Sequence, residues 1–251
     1  MTVGPVQWLR SLVFVVLIYA AMPVLGILFF IPALISRDWA FRACHTYCVF
    51  VRWLAPWLIG LRTEVRGPVP EGEVMVAAKH QSFLDIILIY GALPRAKFIM
   101  KRELMYAPVI GQYALRLGCV PVDRGKRGAA IQKMLADVKA DASMAGQLVI
   151  YPQGTRVAPG AHLPYKAGTG ALYTQLGQPA VPVATNAGLF WPRKGIWRKP
   201  GLAVIEFLDP IAPGLSKDAF MAELEQTVEA RSNALMREAG FDPKEKESAH
   251  A

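Results

Sequence analysis

The chain has 251 residues, of which 53% are hydrophobic and only 19% charged. Ordinary soluble domains carry roughly 25% charged residues, and this balance excludes a disordered chain or one that coats nucleic acid. Lys and Arg number 28 against 19 Asp and Glu, a net charge of +9, and a cationic excess on so apolar a chain suits anionic membrane surfaces or phosphorylated substrates.

The apolar excess begins at the N-terminus. Residues 11–36 contain no charge, with Arg10 and Arg37 at the ends and Trp8 and Trp39 just outside, where interfacial aromatics belong. One continuous helix over this stretch would run about 39 Å, more than the roughly 30 Å hydrocarbon core of a bilayer. Pro23 is expected to divide it, which leaves a kinked, tilted span or a re-entrant hairpin in one leaflet. A cleaved signal peptide is a third reading, but its apolar region should be only about 7–15 residues long and follow a basic start. A second apolar stretch, residues 46–61, carries Arg52 as its one charge and Trp53 and Trp57 within it, and is expected to lie along the interface. Arg10 on one side and Arg37, Arg42 and Arg52 on the other place the following domain on the cytoplasmic side. The chain's three cysteines give no disulfide framework. Cys44 and Cys48 flank His45 without a second ligand pair, so no metal is expected.

Beyond residue 67 short strand-like runs alternate with helical patterns: EVMVAAK from Glu73, KFIM from Lys97, GCVPV from Gly118, QLVIY from Gln147, AVPVAT from Ala180 and LAVIEFL from Leu202. Ile131, Met134, Leu135 and Val138 recur at helical spacing, as do Leu224, Val228 and Leu235. The expected fold is α/β, with a mostly parallel or mixed central sheet flanked by helices and a membrane-embedded helical segment in front. The boundaries read as residues 1–66 for the membrane segment, 67–240 for the α/β domain and 241–251 for a polar tail.

Two turns after strands could carry chemistry. In KHQSFLD, five residues separate His80 from Asp85, a rotation of about 500° that keeps them off one helix face. His80 must therefore precede a helix capped by Ser82, with Asp85 in its first turn. Asp85 then either orients the imidazole as a general base or merely closes a capping box. In YPQGTR, Pro152 and Gly154 fix a turn, and Thr155 and Arg156 offer a hydroxyl and a fork of donors suited to phosphate; a plain surface turn is the alternative. Lys101 and Arg102, then Arg124, Lys126 and Arg127, also follow strands. Arg193, Lys194, Arg198 and Lys199, interleaved with Trp191 and Trp197, read as a membrane-interface patch or a solvated loop.

KHQSFLD, MKREL, GCVPVDR, YPQGTR and AVPVA, in this order and spacing, resemble the glycerolipid acyltransferase family, most closely its bacterial 1-acyl-sn-glycerol-3-phosphate acyltransferases. The resemblance spans about residues 67–209. It implies His80 and Asp85 as the catalytic H-x4-D pair, and Lys101 and Arg124 as holders of the acceptor's phosphate. Gly154, Thr155 and Arg156 match the third motif, which also serves the acceptor, with Gln153 where the family usually has Glu. Lys79 stands where the first motif usually has Asn, so both departures are expected to make the site more positive. Val181 and Pro182 fall in the fourth, apolar motif.

The implied reaction moves a fatty acyl group from acyl-CoA or acyl carrier protein to a lysophospholipid hydroxyl, giving phosphatidic acid, without a further cofactor or metal. The expected partners are membrane lipids, the lysophospholipid acceptor and the thioester donor, with no nucleic acid, at the bacterial inner membrane. Backbone N–H groups around Gly154 are expected oxyanion donors, and a nucleophilic Cys119 is less in keeping with its strand than a buried thiol. Gln153 keeps another acceptor open, such as a lyso-ornithine lipid; a non-catalytic anionic-lipid binder is the rival class.

Overall fold

The computed structural model describes residues 4–123, 127–140 and 146–243. The helices are α1 (Pro5–Leu28), α2 (Phe30–Ile35), α3 (Arg37–Ile59), α4 (Phe83–Ala92), α5 (Ile110–Arg116), α6 (Arg127–Ala140), α7 (Ala167–Leu176) and α8 (Lys217–Glu238). The strands are β1 (Leu61–Arg66), β2 (Met75–Ala78), β3 (Ala96–Lys101), β4 (Val120–Val122), β5 (Gln147–Ile150), β6 (Ala180–Thr185) and β7 (Gly201–Phe207). They form one sheet in the order β1-β7-β6-β2-β5-β3-β4. The five strands from β6 to the β4 edge run parallel, β7 is antiparallel to β6, and β1 pairs parallel with β7, so the sheet is mixed.

The inner strands β2, β5 and β6 bury both faces, which explains their nearly unbroken apolar runs. Val76 and Ala78 of β2 join Val149 of β5 in a core with Val51 and Ile59 of α3 and Leu84 and Leu88 of α4. Their neighbours Met75, Ala77, Leu148 and Ile150 point the other way, onto Met134 of α6, Leu172 of α7 and Leu224 and Val228 of α8. Three layers result, with the sheet in the middle.

The N-terminal segment differs from expectation in three ways. Pro23 does not divide it: α1 runs through Pro23, and the break comes at Phe29. Contacts on both sides of the proline hold the helix together across it. Ser11, Phe14, Ile18 and Gly26 are buried in a stripe along one face, and Gly26 has no room for a Cβ because the Val109 side chain fills it. Both ends of α1 are also tied to the rest of the chain. Gln7 Nε2 donates to the Ile59 and Arg198 carbonyls at 3.0 and 2.9 Å, and Tyr113 Oη donates to the Gly26 carbonyl at 2.9 Å.

Second, residues 46–61 are not a stretch by themselves. Most of them belong to α3, whose Cys48, Val51, Ala55 and Ile59 enter the core while Val49, Trp53 and Trp57 stay exposed. Arg10 meets carbonyls left unpaired at the end of this helix, through Nε to Leu58 at 2.5 Å and Nη2 to Trp57 at 3.2 Å. Third, the sheet begins before residue 67, because β1 supplies its edge. LRTEVR has too little apolar alternation to stand out beside its helical neighbour.

In the loop between β6 and β7, Arg193, Lys194, Trp197 and Lys199 are exposed, but two members of the expected membrane patch are not. Trp191 is buried, and the Arg198 guanidinium lies 4.4 Å from its ring centre. Arg198 Nη1 donates to the carbonyls of Gly195, Ile196 and Trp197, and burial pushes its pKa down to about 10. Arg198 and Trp191 thus hold the loop together rather than facing lipid.

Candidate active site

Strands β2, β5, β3 and β4 lie side by side and parallel, so their carboxyl ends open on one edge of the sheet. His80 follows β2, the Tyr151–Arg156 turn follows β5, and Lys101 ends β3. Arg124, which follows β4, lies outside the described residues. Topology brings the described candidates to one sheet edge, which spacing alone could not show.

Ser82 is the N-cap of α4, and its Oγ accepts from the Leu84 N–H at 3.0 Å. Asp85 is the third helical residue, and its Oδ2 accepts from the Gln81 and Ser82 N–H groups at 2.6 and 2.7 Å. The same oxygen lies 3.2 Å from His80 Nδ1. Capping box and His–Asp contact are therefore one structure, and the two sequence readings of Asp85 are not exclusive. Thr185 Oγ1, at the end of β6, sits 3.4 Å from Asp85 Oδ1. A carboxylate held in this way fixes the imidazole tautomer with Nδ1 protonated and leaves Nε2 as the basic nitrogen.

Sequence reasoning passed over the floor of this site. Tyr151 stacks on the His80 ring with centroids 3.9 Å apart and planes inclined by 18°. Burial, and after it the Asp85 carboxylate, pushes the Tyr151 phenol pKa well up, so it stays neutral. The signal was an aromatic directly after a strand, next to a motif already marked. Val157 N–H donates to the His80 carbonyl at 2.8 Å, joining the phosphate-type turn to the histidine segment.

Within that turn Gly154 has φ +66, a left-handed conformation that favours glycine, and the flexible end of Lys166 lies where a Cβ would project, its Nζ 2.9 Å away. The Gly154 N–H already donates to the Tyr151 carbonyl at 2.8 Å. It is spent on the turn, which leaves the oxyanion role to its neighbours' N–H groups. Thr155 and Arg156 are half-buried beside it, and Lys101 is exposed, with Nζ 3.0 Å from Glu103 Oε1. Lys166 adds an exposed ammonium close to Gly154 that sequence reasoning missed.

The two departures from the family pattern do not make the site more positive. Lys79 is buried, with Nζ 2.6 and 2.7 Å from the two oxygens of Glu229 on α8. Gln153 is buried as well, and its Nε2 faces the Leu163 carbonyl at 3.3 Å and Glu229 Oε1 at 3.4 Å. The Gln153 side chain is thus turned toward α8 and the Leu163 carbonyl. One carboxylate, supplied 150 residues along the chain from Lys79, absorbs the added charge.

Beside Tyr151 and Gly154 opens a mostly apolar cavity of about 390 Å³, walled by Ile99, Met100, Ile131, Met134 and Ile150, with Lys166 on its polar side. Cys119, which precedes β4, is not among the residues lining it. Among the described residues no three His, Cys, Asp or Glu side chains come together as a metal site.

The family described as Acyltransferase matches residues 62–186. The 1-acyl-sn-glycerol-3-phosphate acyltransferase of Pseudomonas aeruginosa is 30% identical over 241 residues, covering 93% of this chain and 92% of that protein. The human 1-acyl-sn-glycerol-3-phosphate acyltransferase alpha is 32% identical over 168 residues, covering 64% of this chain and 59% of its own length. The crystal structure of the 1-acyl-sn-glycerophosphate acyltransferase from Thermotoga maritima has the same fold, with a TM-score of 0.76 at 21% identity over 91% of this chain and 97% of that one.

Proposed function

We propose, from the premise that this chain belongs to the 1-acyl-sn-glycerol-3-phosphate acyltransferase family, that it acylates the free sn-2 hydroxyl of 1-acylglycerol 3-phosphate to give phosphatidic acid. By that membership it is an O-acyltransferase. Acyl-CoA or acyl carrier protein supplies the acyl group as a thioester.

The observation that carries the reading is His80 Nδ1 at 3.2 Å from an Asp85 oxygen already fixed by two backbone N–H groups. His80 Nε2 takes the hydroxyl proton as the oxygen attacks the thioester carbonyl. The new C–O bond forms, the C–S bond breaks, and the proton passes from His80 to the departing thiolate. Asp85 orients the ring and offsets the imidazolium charge in between. Every atom is accounted for without a covalent acyl-enzyme.

Arg156 and Thr155, with Lys101 and Arg124 from the neighbouring strand ends, hold the acceptor's phosphate and so present its hydroxyl to His80. Lys166 stands close enough to join them. The apolar cavity beside Tyr151 suits a fatty acyl chain. Because Gln153 is buried against Glu229, it no longer favours an acceptor without phosphate.

The enzyme works at a membrane surface in this reading. Helix α1, at 24 residues, is long and apolar enough to cross a bilayer, yet both of its ends are bonded to the rest of the fold. Its outer face, with Val16, Val24, Ile27 and Leu28, continues into Ile31 and Ile35 of α2 and Trp53 and Trp57 of α3, all exposed. That face enters one leaflet and the catalytic edge stays with the fold, on the cytoplasmic side of a bacterial inner membrane.

The test is incubation of the purified protein with labelled acyl-CoA or acyl carrier protein and a panel of lyso-lipids, with products identified by mass. Transfer to 1-acylglycerol 3-phosphate is expected. Release of free acid alone, or transfer only to acceptors lacking phosphate, would overturn the reading.

A further inference from the structure

Two site segments, one on each side of the chemistry, converge on a single carboxylate. Glu229 Oε1 lies 2.6 Å from Lys79 Nζ, 3.0 Å from Tyr165 Oη and 3.4 Å from Gln153 Nε2. Lys79 is the residue before His80, and Gln153 the residue before Gly154, Thr155 and Arg156. Lys79 and Gln153 are each about 2% exposed or less, so neither side chain is free to find another partner in water. Glu229 itself rides on a fixed element. Helix α8 is pinned to β7 by Arg231 on Glu206 at 2.7 Å and to β1 by Arg66 on Glu238 at 2.6 Å.

We infer that Glu229 is a positioning residue for acyl transfer: it sets the separation between the His80 base and the turn that grips the acceptor's phosphate, by holding Lys79 and Gln153 at once. The inference rests on the acyltransferase reading above. It explains why an amide stands at 153. The Gln153 nitrogen faces two acceptors, the Leu163 carbonyl and Glu229 Oε1. A carboxylate at that position would face the same two acceptors with no proton to share, and the turn would have to move. Here the negative charge comes from α8, and position 153 carries its neutral counterpart.

The charge should therefore be exchangeable between the two positions. Gln153→Glu alone sets two carboxylates against each other, and Glu229→Gln alone leaves the buried Lys79 ammonium without its partner. Gln153→Glu combined with Glu229→Gln returns the cluster to one carboxylate and one amide, with only the Leu163 carbonyl still opposing position 153. Steady-state transfer and thermal melting are measured on the full-length protein and these three variants. Since a shift of about 1 Å at a reacting centre can cost about a hundredfold, turnover of Gln153→Glu should fall at least about tenfold, with the acceptor's KM rising.

The double variant should return to within about threefold of the unaltered enzyme, as expected of coupled neighbours. Full turnover in Gln153→Glu, a lowered melting temperature with unchanged turnover, or a double variant that is no better than Gln153→Glu or does not fold would each overturn the inference. If the unaltered protein transfers no acyl group, the acyltransferase reading fails and the inference fails with it. Active wild type with unaffected variants sinks the inference alone.

Discussion

Asp85 Oδ2 meets His80 Nδ1 at 3.2 Å because the first turn of α4 starts between them, so one oxygen both caps the helix and orients the ring. These two duties separate by mutation. Asp85→Asn should lower turnover by about two orders of magnitude or more, since the imidazolium loses its counter-charge. Ser82→Ala removes only a cap bond, Leu84 N–H to Ser82 Oγ at 3.0 Å, and should cost about 1 kcal/mol of stability while leaving turnover within a few fold. Equal loss of turnover in both would make Asp85 a capping residue only.

Arg156→Ala tests the phosphate grip. The variant should raise the KM for 1-acylglycerol 3-phosphate at least about tenfold, as loss of a charge-assisted contact does. The KM for the thioester donor should change little. An equal effect on both substrates would remove Arg156 from the acceptor site.

Much of this site was legible locally. The five-residue spacing of His80 and Asp85, with Ser82 between them, predicts a cap that folds the carboxylate back, because capping geometry is set within one turn. Six strands were likewise legible from β-rich runs between turn residues. Strand β1 was not: Arg62, Thr63, Glu64 and Arg66 give LRTEVR too few apolar positions, and its place at the sheet edge depends on pairing with β7, far along the chain.

The same limit hid Glu229. Nothing near it in sequence signals that it meets Lys79 and Gln153, and reading those two positions as added positive charge followed from seeing only one side of each pair. Pro23 misled for a related reason, since docking of Phe14, Ile18 and Gly26 holds α1 together across it.

Tyr165 donates to Glu229 from a buried position, and burial, then the carboxylate, pushes its pKa upward. Tyr151 is shifted the same way. Groups whose folded pKa lies above the unfolded value of about 10 contribute stability that is complete below pH 10 and lost as the pH rises past it, because the unfolded chain releases those protons first. The melting temperature should thus decline above about pH 10. Tyr165→Phe should cost about 1.5–3 kcal/mol at neutral pH and make the alkaline decline shallower. An unchanged alkaline slope would contradict this cause.

The exposed apolar face of α1, α2 and α3 should govern membrane binding. Replacing Ile27, Ile31 and Trp57 by Glu, all at least 69% exposed, removes apolar contact at no cost to the core. Sedimentation with vesicles containing anionic lipid should fall at least about tenfold, given roughly 25 cal/mol for each Å² of apolar surface withdrawn from the membrane, while the melting temperature holds. Undiminished binding would show that another surface carries the attachment.

The most direct measurement is turnover of His80→Ala in the acyl-transfer assay, beside its melting temperature and vesicle binding. With general-base catalysis at this residue, turnover should drop by about two to four orders of magnitude while the protein stays folded and membrane-bound. Turnover within a few fold of the unaltered enzyme would contradict it.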